Sequence, residues 1–283
     1  MKENETILME HEFNLSDFAL FLSVMKNPRA YQCVLSVFME EPDIELEEVK
    51  VEQVILNKVG KRAIRLDAWA KSTDHRQFNM EMQNDVQKDD VRKRSRYYQG
   101  LIDSPILKSG KKTKYKNLPS TVIIFITQED IFGRDLAKYT FTERCKEIED
   151  LELEDGTTKI FLNMASKNGT PELISMLQYM KQTRIDNPEI IVKDSRILEL
   201  DEIVTEVKCS VEWEAVKMNI LEVGIQQGIQ QGIQQGLQQK LIELVSKKLE
   251  KGFSVPEIAD MLEESEGTIE KVIEEIKKRS NGI

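Results

Sequence analysis

Polar and apolar residues alternate in two neighbouring stretches of the chain, residues 65–69 and 78–83. An alternation with a period of two is typical of a β-strand that buries one of its faces. The stretches are separated by the polar residues 72–76, which predict a turn. We therefore expect an antiparallel hairpin over residues 62–83.

The alternation also assigns the hairpin side chains to faces. Leu66 and Ala68 fall on one face of the first strand and Asp67 falls on the other. Antiparallel pairing then brings Asp67 to the same face as Glu81 and Gln83. Two carboxylates beside an amide predict a site for a hard divalent cation, because such cations prefer oxygen ligands. An ordinary amphipathic hairpin with solvated acids explains the spacing at least as well.

Helical spacing and short apolar runs predict the other elements of the first 200 residues. The run Thr121–Ile126 is continuously apolar, which is typical of a strand buried on both faces. Strands mixed with helices around a central sheet predict an α/β or α+β core. The remaining predicted elements are helices on both sides of Pro28 within 12–40, an edge strand at 43–59, a helix at 88–103, strands at 138–142 and 158–162, and a helix at 171–184.

From residue 201 onward the chain is predicted to be helical, with four glycine tetrads at 224–239. Three tetrads read Gly-Ile-Gln-Gln and the last reads Gly-Leu-Gln-Gln. Each glycine costs a helix about 1 kcal/mol relative to alanine, so the segment needs a partner to be a stable helix. It is either a self-associating coiled-coil helix that makes the protein a homodimer, or a flexible linker. The helical flanks favour the helix.

Residues 241–283 are predicted to form short helices whose outline resembles a helix-turn-helix. Their charge argues against DNA recognition, since seven Lys and Arg residues stand against ten acidic residues in 241–279. A protein contact or a capping role is the better interpretation. The predicted organisation is a main domain at 1–200, a helical connector at 201–240 and a small helical tail at 241–283.

Composition limits the class of protein. The 283 residues carry a net charge of −10, which argues against a protein that coats nucleic acid as a whole. The chain has two histidines and three widely spaced cysteines, which excludes multi-histidine zinc sites and a disulfide framework. No run approaches the roughly 20 apolar residues of a membrane span, and no signal peptide is evident. We therefore expect a cytoplasmic protein.

The charge is unevenly distributed. Residues 84–117 contain ten Lys and Arg residues and four acidic residues, so this block carries +6 in a chain of −10. Arg92 and Arg96 lie one helical turn apart in the predicted helix, which makes them candidates for phosphate contacts. Lys111 and Lys112, in the loop that follows, are further candidates for DNA binding.

A basic surface next to paired carboxylates fits metal-dependent hydrolysis of a phosphodiester. Mg²⁺, or Mn²⁺ in its place, needs only one or two protein carboxylates and some main-chain or water oxygens. Asp67 and Glu81 supply the carboxylates, and the main-chain carbonyl of Met82 is the predicted third ligand. Gln83 carries no charge, and its predicted role is to orient the attacking water.

The order of these segments resembles a known family. Asp67 followed by Glu81-x-Gln83 is similar to the PD-(D/E)xK nuclease signature, with glutamine in place of the final lysine and Leu66 in place of the proline. The chain more specifically resembles the Rpn-type recombination-promoting nucleases and putative transposases over about residues 14–200. Other matching stretches are 64–67, 94–99, the 122–125 strand, the 155–156 turn and 162–163.

The resemblance implies a restriction-endonuclease-like α/β fold, a mixed central sheet flanked by helices, with an all-α extension at the C-terminus. It also implies a metal-dependent DNA endonuclease linked to mobile-element recombination. Asp67 and Glu81 would be the metal ligands, and Gln83 would be the third active-site position. The alternative is an inactive nuclease-fold protein that binds DNA or a protein partner.

Overall fold

The computed structural model of the chain describes residues 12–56, 62–85, 90–107 and 114–280. Contacts divide the chain into one compact unit of residues 9–216 and a second that contains residues 217–283. The predicted division into 1–200, 201–240 and 241–283 remains a prediction.

The first unit is built on one six-stranded sheet. Its strands are β1 (Leu46–Ile55), β2 (Ile64–Ser72), β3 (Gln77–Gln83), β4 (Thr121–Thr127), β5 (Lys138–Phe141) and β6 (Thr157–Asn163), in the spatial order β1-β2-β3-β4-β6-β5. The central pairs β3–β4 and β4–β6 are parallel, and the outer pairs are antiparallel. This mixed sheet confirms the predicted α/β class and places β1 at an edge.

The described part of the chain also contains eight helices. They are α1 (Phe18–Met25), α2 (Pro28–Met39), α3 (Val91–Asp103), α4 (Pro171–Lys181), α5 (Ser195–Lys208), α6 (Val211–Glu250), α7 (Val255–Leu262) and α8 (Glu266–Ser280), with a 3₁₀ turn at Tyr115–Asn117. The predicted break at Pro28 is confirmed. Asn27 caps α2 by accepting the main-chain N–H of Arg29 at 2.9 Å, and proline fits the first turn because it has no N–H to lose.

The sheet separates two apolar cores. The larger core packs α1, α2, α4 and α5 against one face, and the smaller core packs α3 against the other. β4 is buried along its whole length, as its apolar run predicts. Its alternate residues serve the two cores, with Ile124 in the larger and Phe125 in the smaller.

One predicted detail of the hairpin is wrong. Leu66 packs in the smaller core and Ala68 in the larger, so they lie on opposite faces of the sheet. The neighbouring strand is irregular at the same level, where Glu52 takes the left-handed backbone conformation (φ 50°) between the partners of Leu66 and Ala68. The two-residue alternation of β2 is interrupted between Leu66 and Ala68, at the level of Asp67, and the side chains change faces there.

The second unit has a small core of its own. The end of α6 packs with α7 and α8 around Val245, Ile258, Ile269 and Val272. The breaks between the predicted helices are confirmed, and the first predicted helix is the end of the 40-residue α6. All four glycine tetrads lie inside α6. Of the two predicted alternatives, a helix and a flexible linker, the structure shows a helix.

Candidate active site

The site forms where the main-chain pairing of β2 and β3 ends. The ladder between these strands reaches Ala68 and Met80. At the next step the contacts come from side chains: the N–H of Asp67 donates to Oε1 of Glu81 at 3.0 Å, and the N–H of Met82 donates to Oδ2 of Asp67 at 3.1 Å. The two carboxylates thus bond the main-chain N–H groups at the place where the main-chain pairing of the two strands stops, which we call the slit.

The slit is local, because the sheet continues on both sides of it. β2 stays paired with β1 as far as Ile64 and Ile55, and β3 stays paired with β4 as far as Gln83 and Thr127. Both carboxylates are therefore mounted on strands that are held from the outside. Such support fixes the side chains more firmly than a loop would.

The two carboxylates lie almost entirely away from water. Asp67 is 6% exposed and Glu81 is fully buried. Burial raises the pKa of Asp67 to about 6. Burial, followed by the neighbouring charge of Asp67, raises the pKa of Glu81 to about 8. At neutral pH the pair therefore resists full ionisation unless additional positive charge enters the slit.

One positive charge is already present at the slit, on a residue that the sequence interpretation did not assign. Arg94 donates from one terminal nitrogen to Oε2 of Glu81 at 2.7 Å and from the other to Oε1 of Gln83 at 2.7 Å. Its Nε donates to the hydroxyl of Tyr98 at 2.9 Å. The guanidinium carbon lies 4.9 Å from the ring centroid of Tyr98 and 5.4 Å from that of Phe125. Three hydrogen bonds and two aromatic rings therefore hold Arg94 in place.

Glu81 has one more polar neighbour. Nδ2 of the fully buried Asn79 donates to Oε1 of Glu81 at 2.9 Å, while its Oδ1 has no hydrogen-bond partner among the described residues. With the N–H of Asp67, the Arg94 and Asn79 contacts give the Glu81 carboxylate three donors. These donors favour the charged form of Glu81 and so lower its pKa, but burial has the larger effect.

Gln83 lies beside Glu81, as predicted, but both polar atoms of its amide form hydrogen bonds within the protein. Oε1 accepts from Arg94, and Nε2 donates to the main-chain oxygen of Asp85 at 2.5 Å. These contacts anchor the amide between α3 and the chain that follows β3. They differ from the predicted role of orienting a water molecule.

The sequence did contain a signal for Arg94. Val91 and Tyr98 belong to the buried face of α3, and Arg94 lies three residues after the first and four before the second. That spacing places it on the same helical face. Arg92 and Arg96 lie off this face and are exposed. Asn79 carried a weaker signal, its position two residues before Glu81 on one face of β3.

The donor set of the slit suits Mg²⁺. No group of three or more His, Cys, Asp or Glu side chains in the described part of the chain is arranged to hold a metal, so an ion would rely on two carboxylates. Mg²⁺ is commonly bound in this way, with water completing its shell. Oδ1 of Asp67 accepts no hydrogen bond among the described residues and remains available, and the main chain of Met82 borders the same carboxylate. The three predicted ligands are thus adjacent.

The predicted DNA contacts are only partly described. Arg92 is exposed and pairs with Asp90 at 3.3 Å, and Arg96 is exposed on the next turn of α3. Both lie on the helix that carries Arg94 into the slit, but off its buried face. Lys111 and Lys112 lie outside the described residues.

Comparisons with known proteins give one match. Residues 17–185, more than half of the chain, match the model of a family described as PD-(D/E)XK nuclease family transposase. The matched range contains the whole slit and all six strands. No curated protein and no solved structure gives a significant match. None of the helices that the structure describes combines the length and the apolar character needed to cross a membrane.

Proposed function

The chain belongs to the PD-(D/E)XK nuclease family transposases, and from this membership we propose that it is a Mg²⁺-dependent DNA endonuclease that hydrolyses phosphodiester bonds. The observation that carries the proposal is the pair Asp67 and Glu81, buried and facing each other across the slit. Burying two carboxylates side by side is unfavourable for a fold, and a bound cation offsets that cost.

Each residue has a defined task in this proposal. Asp67 and Glu81 hold the metal ion from opposite strands, and the carbonyl of Met82 is a third ligand. When bound, Mg²⁺ polarises a phosphoryl oxygen and lowers the pKa of its water. Arg92 and Arg96 bind the DNA backbone through their exposed guanidinium groups, which form charge-assisted bonds to phosphate. These contacts position the scissile phosphate at the slit.

A cleavage assay on supercoiled plasmid tests the proposal. Wild type, Asp67→Asn and Arg92→Ala/Arg96→Ala are compared in Mg²⁺, Mn²⁺, Ca²⁺ and EDTA, with folding checked by circular dichroism. We expect wild type to nick or linearise the plasmid in Mg²⁺ or Mn²⁺ only, and Asp67→Asn to be inactive. The double arginine variant should mainly weaken DNA binding. A folded wild type that binds DNA but never cuts it would overturn the proposal and favour the alternative of an inactive DNA-binding protein.

We also propose that the protein is a homodimer that associates through α6. Ile229 and Ile233 are 58% exposed and Leu237 is 67% exposed, and the four tetrad glycines have open space around them. A row of exposed apolar residues beside glycines favours close contact between helices. Sedimentation velocity should show a dimer for wild type and a monomer after Ile229→Gln/Ile233→Gln/Leu237→Gln. A wild type that sediments as a monomer at all concentrations would overturn this proposal.

Two finer assignments follow from the same premise. A role in mobile-element recombination is supported by the word transposase in the family description, and it is tested by whether the protein joins DNA ends as well as cutting them. A cytoplasmic location is supported by the three free cysteines, of which Cys209 is exposed. Fractionation of cells that express a tagged chain would test it.

A further inference from the structure

Arg94 is a tightly held cation at the slit. Its side chain is 21% exposed, so it is largely sheltered but not closed off from solvent. It contacts Glu81, Gln83 and Tyr98 through three separate nitrogens. A guanidinium has five N–H donors, so two remain on the terminal nitrogens after these contacts. Those nitrogens are also the ones beside Glu81 and Gln83, next to the predicted metal ligands.

Gln83 occupies the position where the nuclease signature has lysine. Its amide brings no charge, and its oxygen is turned to Arg94 while its nitrogen is held by Asp85. The positive charge next to Glu81 therefore comes from α3 and not from β3. Arginine remains charged at any working pH and binds phosphate through two parallel hydrogen bonds.

We infer that Arg94 is a catalytic residue that contacts the scissile phosphate and supplies the positive charge otherwise expected from a lysine at position 83. Gln83 is then a positioning residue, which holds the guanidinium at the mouth of the slit. The inference rests on the proposed nuclease function. No bond is made or broken by Arg94 itself, since its task is to stabilise the negative charge that develops on the phosphoryl oxygens.

A purely structural role is the competing explanation, in which Arg94 only neutralises Glu81. The molecule offers a matched control for that role. Arg76, at the other end of β3, is 25% exposed, pairs with Glu41 at 2.8 Å and lies 5.3 Å from the ring centroid of Phe78. Replacing Arg76 removes a similarly sheltered and paired arginine, but one that lies away from the slit.

The first experiment measures cleavage by wild type, Arg94→Ala, Gln83→Ala, Gln83→Lys, Gln83→Lys/Arg94→Ala and Arg76→Ala, with kcat and KM separated. We expect Arg94→Ala to lower kcat by roughly 100- to 1,000-fold with little change in KM, as for loss of one charge-stabilising donor. Gln83→Ala should lower kcat less, also at unchanged KM. Arg76→Ala should cleave like wild type. The double variant should recover at least tenfold over Arg94→Ala, because lysine at 83 restores the missing charge.

The second experiment does not depend on cleavage. Affinity for a short DNA oligonucleotide is compared with and without a terminal phosphate, placed at either end, in Ca²⁺. A terminal phosphate carries more negative charge than an internal phosphodiester and so resembles the charge that develops during cleavage. We expect wild type and Arg76→Ala to bind the phosphorylated form about tenfold more tightly, and Arg94→Ala to lose most of that preference.

The outcomes separate the two proposals. A wild type that never cleaves removes the nuclease function, and the oligonucleotide preference then decides whether Arg94 still binds phosphate. An active wild type whose folded Arg94→Ala variant keeps kcat, or whose Gln83→Lys/Arg94→Ala variant recovers nothing, overturns the role of Arg94 and leaves the nuclease intact. Equal phosphate preference in wild type and Arg94→Ala also overturns it.

Discussion

The two ends of β3 carry similar arginine clusters in opposite surroundings. Arg76 binds Glu41 and Asp74, whose side chains are 42% and 55% exposed, whereas Arg94 binds Glu81, which is fully buried. Both arginines are sheltered to a similar degree and both lie against aromatic rings. The two clusters therefore differ in how exposed their acidic side chains are, whereas their arginines are in similar surroundings.

The difference appears in how the acids ionise. A hydrogen bond from Ser72, helped by Arg76, lowers the pKa of Asp74 below its usual value. Burial raises the pKa of Glu81 in spite of the adjacent Arg94. At the Arg76 end, charge and hydrogen bonds stabilise the fold. At the Arg94 end the fold carries an unfavourable charge, and perturbed acids of this kind concentrate at functional sites.

The largest expected effect is on cleavage activity, which should differ between substitutions at the two ends of β3. Glu81→Gln should reduce plasmid cleavage by roughly a thousandfold or more, because loss of a metal ligand forfeits several kcal/mol of transition-state stabilisation. Glu41→Gln should leave cleavage within about twofold of wild type, since an exposed pair contributes little. Initial rates in Mg²⁺ measure both. Equal loss in the two variants would show that cleavage reports general destabilisation.

The next effect is the pH dependence of stability without metal. The folded pKa values of Asp67 and Glu81 lie above the values of free carboxyls, so the folded state binds more protons between about pH 4 and pH 8. Stability from this pair is present at low pH and is lost as pH rises through the folded pKa values. We expect a loss on the order of a few kcal/mol by pH 8.

Denaturant titrations at pH 5 and pH 8 in EDTA measure that loss. Glu81→Gln should flatten the profile, and Mg²⁺ should restore wild type at pH 8. A wild-type profile that rises with pH over this range would contradict the assignment of a buried, reluctantly ionised pair.

A smaller effect distinguishes the two arginines. Arg94→Ala should destabilise the metal-free protein at pH 8 by about 2 kcal/mol, because Glu81 is left buried without its cation. At pH 5 this cost should shrink, since Glu81 can then hold a proton. Arg76→Ala should cost under about 1 kcal/mol at both pH values, as exposed pairs do. Thermal or urea unfolding supplies the values, and a larger loss for Arg76→Ala would invert the comparison.

The smallest effect belongs to the exposed end. The pKa of Asp74 is lowered in the folded state, so its contribution to stability is present above the pKa of a free carboxyl and disappears as pH falls through the lower folded value. Asp74→Asn should cost only a few tenths of a kcal/mol at pH 7 and nothing at pH 2. Paired urea titrations at these two pH values would show whether the cost vanishes in acid.

Local patterns predicted much of the fold. The apolar run of β4 and the alternation of β3 required only neighbouring residues, and both strands are where the sequence places them. The opposition of Asp67 and Glu81 followed from hairpin pairing alone. These features depend on the periodicity of polar and apolar residues, which can be read directly from the sequence.

What the sequence could not predict depends on contacts between elements. The change of faces between Leu66 and Ala68 interrupts the alternation of β2 beside the left-handed Glu52 of β1, and no periodicity reveals either irregularity. The spacing of Arg94 from Val91 and Tyr98 places it on the inner face of α3, but its contact with Glu81 depends on how α3 packs on the sheet, which the sequence does not show. The burial that shifts the carboxyl pKa values likewise exists only once the sheet has closed around the slit.

The slit has a consequence for how such a protein changes over generations. Asp67 serves both the proposed chemistry and the sheet, since its carboxylate accepts the N–H of Met82. Asparagine at this position keeps an oxygen for that bond and removes the charge that a metal ion needs. A change of one base in the codon makes this replacement. A single mutation can therefore abolish cleavage with almost no effect on folding. The inactive protein keeps α3 and its arginines, which remain able to bind other partners.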